Sequence, residues 1–319
     1  MSGEPRCGRP RVLVLRALGL GDFLTGVPAY RALREAFPEH ILTLAAPLVL
    51  ADLVSLTDGV DTVLPAYGLA SLDWSGPPPD VAVNLHGRGP QSHRLLQALR
   101  PARTIAYLAP EVPELVGPAW RADEHEVHRW CRLLESCGIS ADPTRLALRR
   151  PHRPSPAAGA VVVHPGAAAG SRRWPADRYA AVAAELHRQG HRVVVTGSAD
   201  EVRLCGCVAE RAGLGAAAVL AGSLPLGELA ALVADAALVV CGDTGVAHLA
   251  TAYATPSVVM FGPVSPARWG PPPGRDQHVV LWHSDDRRLP GDPHGDLPDP
   301  ALLQITVDEV LAAAGSLQP

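Results

Sequence analysis

Four short segments combine side chains that handle charge with glycines that let a ligand come close. In "LGLGDFLTGVP" (18–28), Gly19 and Gly21 permit a tight turn and Asp22 follows at once, ahead of an apolar helical stretch. Its carboxylate either emerges at a strand end where a ligand would sit or caps that helix. "HPGAAAGSRRWP" (164–175) sets Gly166 and Gly170 among alanines, then Arg172 and Arg173 before a helix opening at Pro175. Two guanidinium forks there suit a phosphate or diphosphate, held by charge-assisted bonds and the helix dipole. The alternative is a pair of solvent-facing arginines. In "TGSADE" (196–201), Asp200 or Glu201 either accepts hydrogen bonds from a ribose or base, or caps the helix that follows. "GDTGVAH" (242–248) brings Asp243, Thr244 and Gly245 to a helix start with His248 about one turn on. That is an acceptor, a hydroxyl, a bare backbone and an imidazole around one ligand, or else a capped helix with a core histidine.

The elements that position these segments alternate. In the first half the pattern predicts strands at 11–15, 41–45, 61–64, 80–85 and 103–107. Helices are predicted at 25–37, near 47–57, at 91–99 and at 124–137. A proline-rich stretch, 141–159, reads as a linker. The alternation restarts with strands at 160–164, 192–196, near 217–220, 237–241 and 256–260. Helices at 175–189, 200–212, 225–235 and 245–253 lie between them. Residues 263–300 read as irregular, with a last helix at 306–314. Repeated βαβ units imply parallel sheets covered on both faces, so two Rossmann-like domains are expected, 1–150 and 151–319, facing a central cleft. In such sheets ligands sit beyond the carboxyl ends of strands, where all four segments fall.

Composition limits the function classes. The chain has 319 residues, 47% hydrophobic and 19% charged, with formal net charge -4. All 28 basic residues are arginine, a bias that fits a GC-rich coding sequence. Without a basic footprint, nucleic acid is not an expected partner. Cys7, Cys131, Cys137, Cys205, Cys207 and Cys241 show no CxxC pair and read as reduced thiols. Arg16 interrupts the only apolar run near the start, and no stretch is long enough to span a bilayer. A cytoplasmic protein is expected, with peripheral membrane contact left open. Dinucleotide binding is disfavoured, because the first turn reads G-x-G-x-x-L and the second strand ends in Ala45-Ala46 rather than an acid. "HEVH" (125–128) is one residue short of a zinc motif, and "HSDDRRLPGDPHGD" (283–296) lacks ligand spacing, so no metal is expected.

"GLGDFLTGVPAYRALREAFP", "HPGAAAGSRRWPADRYAAVAAEL" and "CGDTGVAHLATAYATPSVVMFGPVSPARWGP", with the looser "DVAVNLHGRGPQSHRLL", resemble the heptosyltransferase-type glycosyltransferases of family nine in composition and order. The resemblance implies a GT-B fold with acceptor held by the first domain and donor by the second. It implies inverting, metal-independent and cofactor-independent transfer of a heptose or related sugar. The donor would be a nucleoside-diphosphate sugar, ADP-linked, and the acceptor a hydroxyl of a glycan, a lipid-linked sugar or a small molecule. Carried over, Asp22 is the general base and Arg172 the basic residue at the donor diphosphate, where the family usually has lysine. Asp243, Thr244, Gly245 and His248 match the donor loop, and Gly166, Arg173 and Glu201 complete the candidate donor set. Ala167 and Ala168 stand where some members carry hydroxyls. A GT-B-fold nucleotide-sugar epimerase or hydrolase, or a non-catalytic binding protein, is the alternative.

Overall fold

The computed structural model describes residues 8–283 and 291–317. The chain divides into two compact units between Leu146 and Ala147, inside the proline-rich stretch.

The first unit runs β1 (Arg11–Leu15), α1 (Leu20–Thr25), α2 (Val27–Ala36), β2 (Ile41–Ala46), α3 (Ala51–Val54), β3 (Thr62–Pro65), β4 (Val81–Asn84), α4 (Gln91–Gln97), β5 (Arg103–Ile105) and α5 (Glu126–Glu135). Its strands pair in the order β3-β2-β1-β4-β5, all parallel. The centre is apolar on both faces, as a covered parallel sheet requires, and Val12 through Leu15 are fully buried.

Two expectations change here. The helix anticipated over 25–37 is α2, and an additional short helix, α1, precedes it across Gly26, where an added Cβ would lie 2.6 Å from Tyr30 Cζ. α1 starts at Leu20, which places Asp22 inside a helical turn rather than before one. The helix near 47–57 shortens to a 3-10 turn, Leu48–Leu50, followed by α3.

The second unit runs β6 (Val161–His164), α6 (Ala176–Arg188), β7 (Val193–Val195), α7 (Val202–Arg211), α8 (Leu226–Ala234), β8 (Leu238–Gly242), α9 (Gly245–Tyr253), β9 (Ser257–Met260), α10 (Pro266–Trp269), β10 (His278–Leu281), α11 (Pro300–Gln304) and α12 (Val307–Ser316). The order is β10-β9-β8-β6-β7, again parallel. The strand anticipated near 217–220 is a 3-10 turn, Ala216–Ala218, and only Val219 bridges to Val195. Three alanines offer little to pack on a pleated surface. Within 263–300, expected to be irregular, β10 adds a fifth strand beside β9. Its four residues were too few to register as a period amid the surrounding prolines and glycines.

The last helix, α12, packs into the core of the second unit: Val310 and Ala314 are fully buried in the cluster with Val182, Leu186, Val258 and Met260. The segment before it is pinned there too, since Trp174 Nε1 and Arg178 Nη1 both donate to the Ile305 carbonyl, at 3.0 and 2.7 Å. Cys131, Cys205 and Cys241 are buried and Cys137 and Cys207 partly so; Cys7 lies outside the described residues. No described helix is long and apolar enough to cross a membrane.

Trp174 is 2% exposed and fills the space between α6 and the C-terminal segment. Replacing it by alanine is expected to lower the free energy of unfolding of the second unit by about 3–5 kcal/mol, read from urea titration of the far-UV signal.

Candidate functional site

Each sheet reverses strand order at one point, and the candidate residues collect there. In the first unit the reversal lies between β1 and β4. Arg16 continues β1 directly, yet its side chain is completely buried. A buried guanidinium must be hydrogen-bonded and charge-balanced. Nε donates to the carbonyl of Asp22 and Nη1 to that of Leu85, just past β4. Nη2 donates to Thr25 Oγ1 at 2.9 Å and to Glu126 Oε1 at 3.2 Å. The same nitrogen lies 3.6 Å from Asp22 Oδ1. The group also stacks over Trp130, 4.9 Å from the ring centroid.

Asp22 sits in the first turn of α1, whose N-cap is Gly19, and its side chain keeps 30% exposure. Burial raises its pKa above the ordinary carboxylate value. The Arg16 charge opposes that rise, the Glu126 charge adds to it, and the Gly19 amide lowers it slightly. The loop after β4 carries His86, which feels the Arg16 charge. Its backbone N–H donates to Asn84 Oδ1 at 3.0 Å, while its ring Nδ1 is buried with no partner among the described residues. Burial, helped by the Arg16 charge, lowers its pKa to about 4.

In the second unit the reversal lies between β6 and β8, and here Arg172 and Asp243 meet, Nη1 to Oδ2 at 3.9 Å. Arg172 is in a 3-10 turn, Gly170–Arg172, and its Nε is buried with no partner among the described residues. Glycine at 242 relieves a close approach, because a Cβ there would lie 3.0 Å from the Arg172 carbonyl oxygen. Asp243 is 7% exposed, and its charge, after burial, pushes the Cys241 thiol up to about 12. Thr244 is the N-cap of α9, Gly245 its first residue, and His248 faces the Trp269 ring edge-on at 6.0 Å.

Glu201 meets the other half of the set. Its Oε2 accepts from the Ser198 N–H at 2.8 Å within a capping box, and its Oε1 lies 4.0 Å from Arg173 Nη2. Its carboxyl packs over Gly166, where a Cβ would come within 2.2 Å of Oε1. Arg173 is anchored to its own loop, Nε donating to the Ala167 carbonyl at 2.9 Å. His164, at the end of β6, bonds Thr196 Oγ1 at 3.0 Å; burial lowers its pKa and the Glu201 charge raises it.

The second unit therefore gathers Arg172 with Asp243 through His248, and Gly166 with Arg173 and Glu201. The first unit holds Asp22 with three residues that the motifs did not select. Arg16 had a signal, a charged residue continuing a buried strand. Glu126 and His86 had none by spacing alone, since each matters through what the fold sets beside it. Among the described residues, no three His, Cys, Asp or Glu side chains converge as metal ligands.

Two parallel sheets with helices between their strands, each with charged residues at its switch point, define a two-domain α/β class. A family model described as glycosyltransferase family 9 (heptosyltransferase) matches residues 118–289, more than half of the chain, and the chain belongs to that family. It is 33% identical over 162 residues to lipopolysaccharide heptosyltransferase 3 of Escherichia coli, covering 50% of this chain and 47% of that protein. The match thus spans about half the length of that relative. Among solved structures, a glycosyl transferase family 9 protein from Veillonella parvula superimposes with TM-score 0.77 at 20% identity, covering 97% of both chains. The E. coli ADP-heptose lipopolysaccharide heptosyltransferase II gives 0.75 at 21% identity, over 96% of this chain and 98% of that one. These neighbours share the fold, the GT-B pair of parallel-sheet α/β domains.

His86 stays neutral in the fold down to about pH 4, whereas in the unfolded chain it binds a proton below about 6.5. Its contribution to stability is therefore complete above pH 6.5 and lost as the pH falls toward 4. In His86→Gln, melting temperature should fall less steeply over that window. Some slope remains, because His278 is lowered in the same way.

Proposed function

We propose that the protein is an inverting glycosyltransferase that moves a heptose or related sugar from an ADP-linked donor to an acceptor hydroxyl, without a metal. The observation that carries this reading is the meeting of Arg172 and Asp243 at the second switch point, with one guanidinium nitrogen buried and unpartnered. A nucleoside diphosphate fits that arrangement. Its oxygens take the free guanidinium donors, and the leading N–H groups of α9, which lack intrahelical partners, add a positive helix terminus. The names of the relatives point to the same donor and to a lipopolysaccharide acceptor. In this chain the acceptor is proposed only as a glycan, lipid-linked sugar or small molecule, on a protein that touches membranes at most peripherally.

In the proposed step Asp22 takes the proton from the acceptor hydroxyl as its oxygen attacks the anomeric carbon. The bond from that carbon to the diphosphate breaks on the opposite side. Arg172 then stabilises the charge that accumulates on the leaving nucleoside diphosphate, so the neutralisation usually assigned to a metal falls to a side chain. Glu201 and His248 border the same loops and are proposed to contact the nucleoside and the sugar.

Adding ADP should raise the melting temperature of the wild-type protein by mass action, and Arg172→Ala should lose most of that shift. Asp22→Asn should keep the ADP shift while transfer, assayed with an ADP-sugar and acceptor, falls by about 10²-fold or more. An ADP shift that survives in Arg172→Ala, or undiminished turnover in Asp22→Asn, would refute the corresponding assignment.

A further inference from the structure

The Arg16 guanidinium is shared unequally between two carboxylates. Glu126 Oε1 accepts from Nη2 at 3.2 Å, whereas Asp22 Oδ1 stands at 3.6 Å and Nε is spent on the backbone carbonyl of Asp22. Glu126 is itself fixed, with Oε1 accepting from Trp130 Nε1 at 2.9 Å and Oε2 from Arg129 Nε at 3.0 Å. Charges alternate from Arg129 through Glu126 and Arg16 to Asp22, and only Asp22 keeps substantial exposure. The other groups of this cluster carry no charge of their own at neutral pH: the Tyr30 phenol from α2, which feels the Asp22 charge, the Thr25 hydroxyl of α1, which donates to the Asp22 carbonyl, and His86 from the β4 loop, which feels the Arg16 charge.

We propose that Glu126 is a positioning residue for the base: by neutralising Arg16 it lets that cation hold the Asp22 backbone in place without claiming the Asp22 carboxylate, which stays available to accept a proton. An arginine facing Asp22 alone would hold the carboxylate as an ion pair and weaken it as a base. Glu126 removes that effect at a distance, acting through Arg16 and not by touching substrate. The raised proton affinity of Asp22, to which the Glu126 charge contributes, agrees with this arrangement.

The proposal rests on Asp22 being the base, so its test is a titration that needs no turnover. In protein labelled with carboxyl-¹³C aspartate, the Asp22 signal is assigned by its loss in Asp22→Asn and followed against pH. The midpoint should lie above the ordinary aspartate value near 3.9 in the wild type. It should fall by about one pH unit or more in Glu126→Gln, because the amide oxygen still accepts from Arg16 and Trp130 while the charge is gone. Glu126→Asp, which keeps the charge, should hold the midpoint near that of the wild type. A midpoint that stays put in Glu126→Gln overturns the proposal. If Glu126→Gln does not melt cooperatively, Trp130→Phe decides instead. It removes one donor from Oε1, leaves more of that charge to Arg16 and should raise the midpoint, while no rise overturns the proposal. Should the midpoints move as expected while the purified protein fails to transfer a sugar, the functional reading fails and only the electrostatic coupling of Glu126 to Asp22 through Arg16 stands.

Discussion

The carboxyl edge of the first sheet depends on burying one guanidinium. Arg16 leaves β1 at the point where the chain must turn, and water is excluded from it entirely. A charge so placed costs several kcal/mol unless its donors and its field are met. The four partners that meet it come from three parts of the fold: the Asp22 carbonyl and Thr25 hydroxyl of α1, the Leu85 carbonyl after β4, and the Glu126 carboxylate of α5. Satisfying that ion also fixes where the first turn of α1 lies, and with it Asp22. A loop between glycines that would otherwise sample many conformations is held by the planar fork of one side chain.

The second unit repeats the topology with a different charge arrangement. Its switch point sets Arg172 against Asp243 beside the N-terminus of α9, and the glycines there serve close approach. Gly242 lets β8 pass the Arg172 backbone, and Gly166 leaves room for the Glu201 carboxyl. Each unit relies on burial in its own sheet to make the charges at its switch point count.

Much of the architecture was legible in the chain. Runs such as "RVLVL" and "VVVH" have no polar face to show water, so they had to be central parallel strands, and the loops after them had to carry the polar groups. Local patterning failed where a segment was short or its meaning depended on a distant partner. "HVVL" at 278–281 became an edge strand because β9 offered it a ladder, and three alanines at 216–218 did not because their side chains had nothing to pack. Glu201 takes the capping role that its position before a helix allowed, accepting from the Ser198 N–H, while the approach of its other oxygen to Arg173 had no signal in the local pattern.

The sequence by itself determined two parallel α/β domains, the loops at their strand ends and the chemistry available in the second: arginines, an acid, a hydroxyl and an imidazole beside helix starts. Those are properties of period and local turn geometry, which neighbouring residues dictate. Only the tertiary structure decided that Arg16 is a buried organising ion rather than a break in an apolar run. It likewise decided that Glu126, 110 positions away, is its counter-charge, and that the last helix closes the core of its own unit. Electrostatic partnership is set by distance and burial in three dimensions, and neither can be read from separation along a chain.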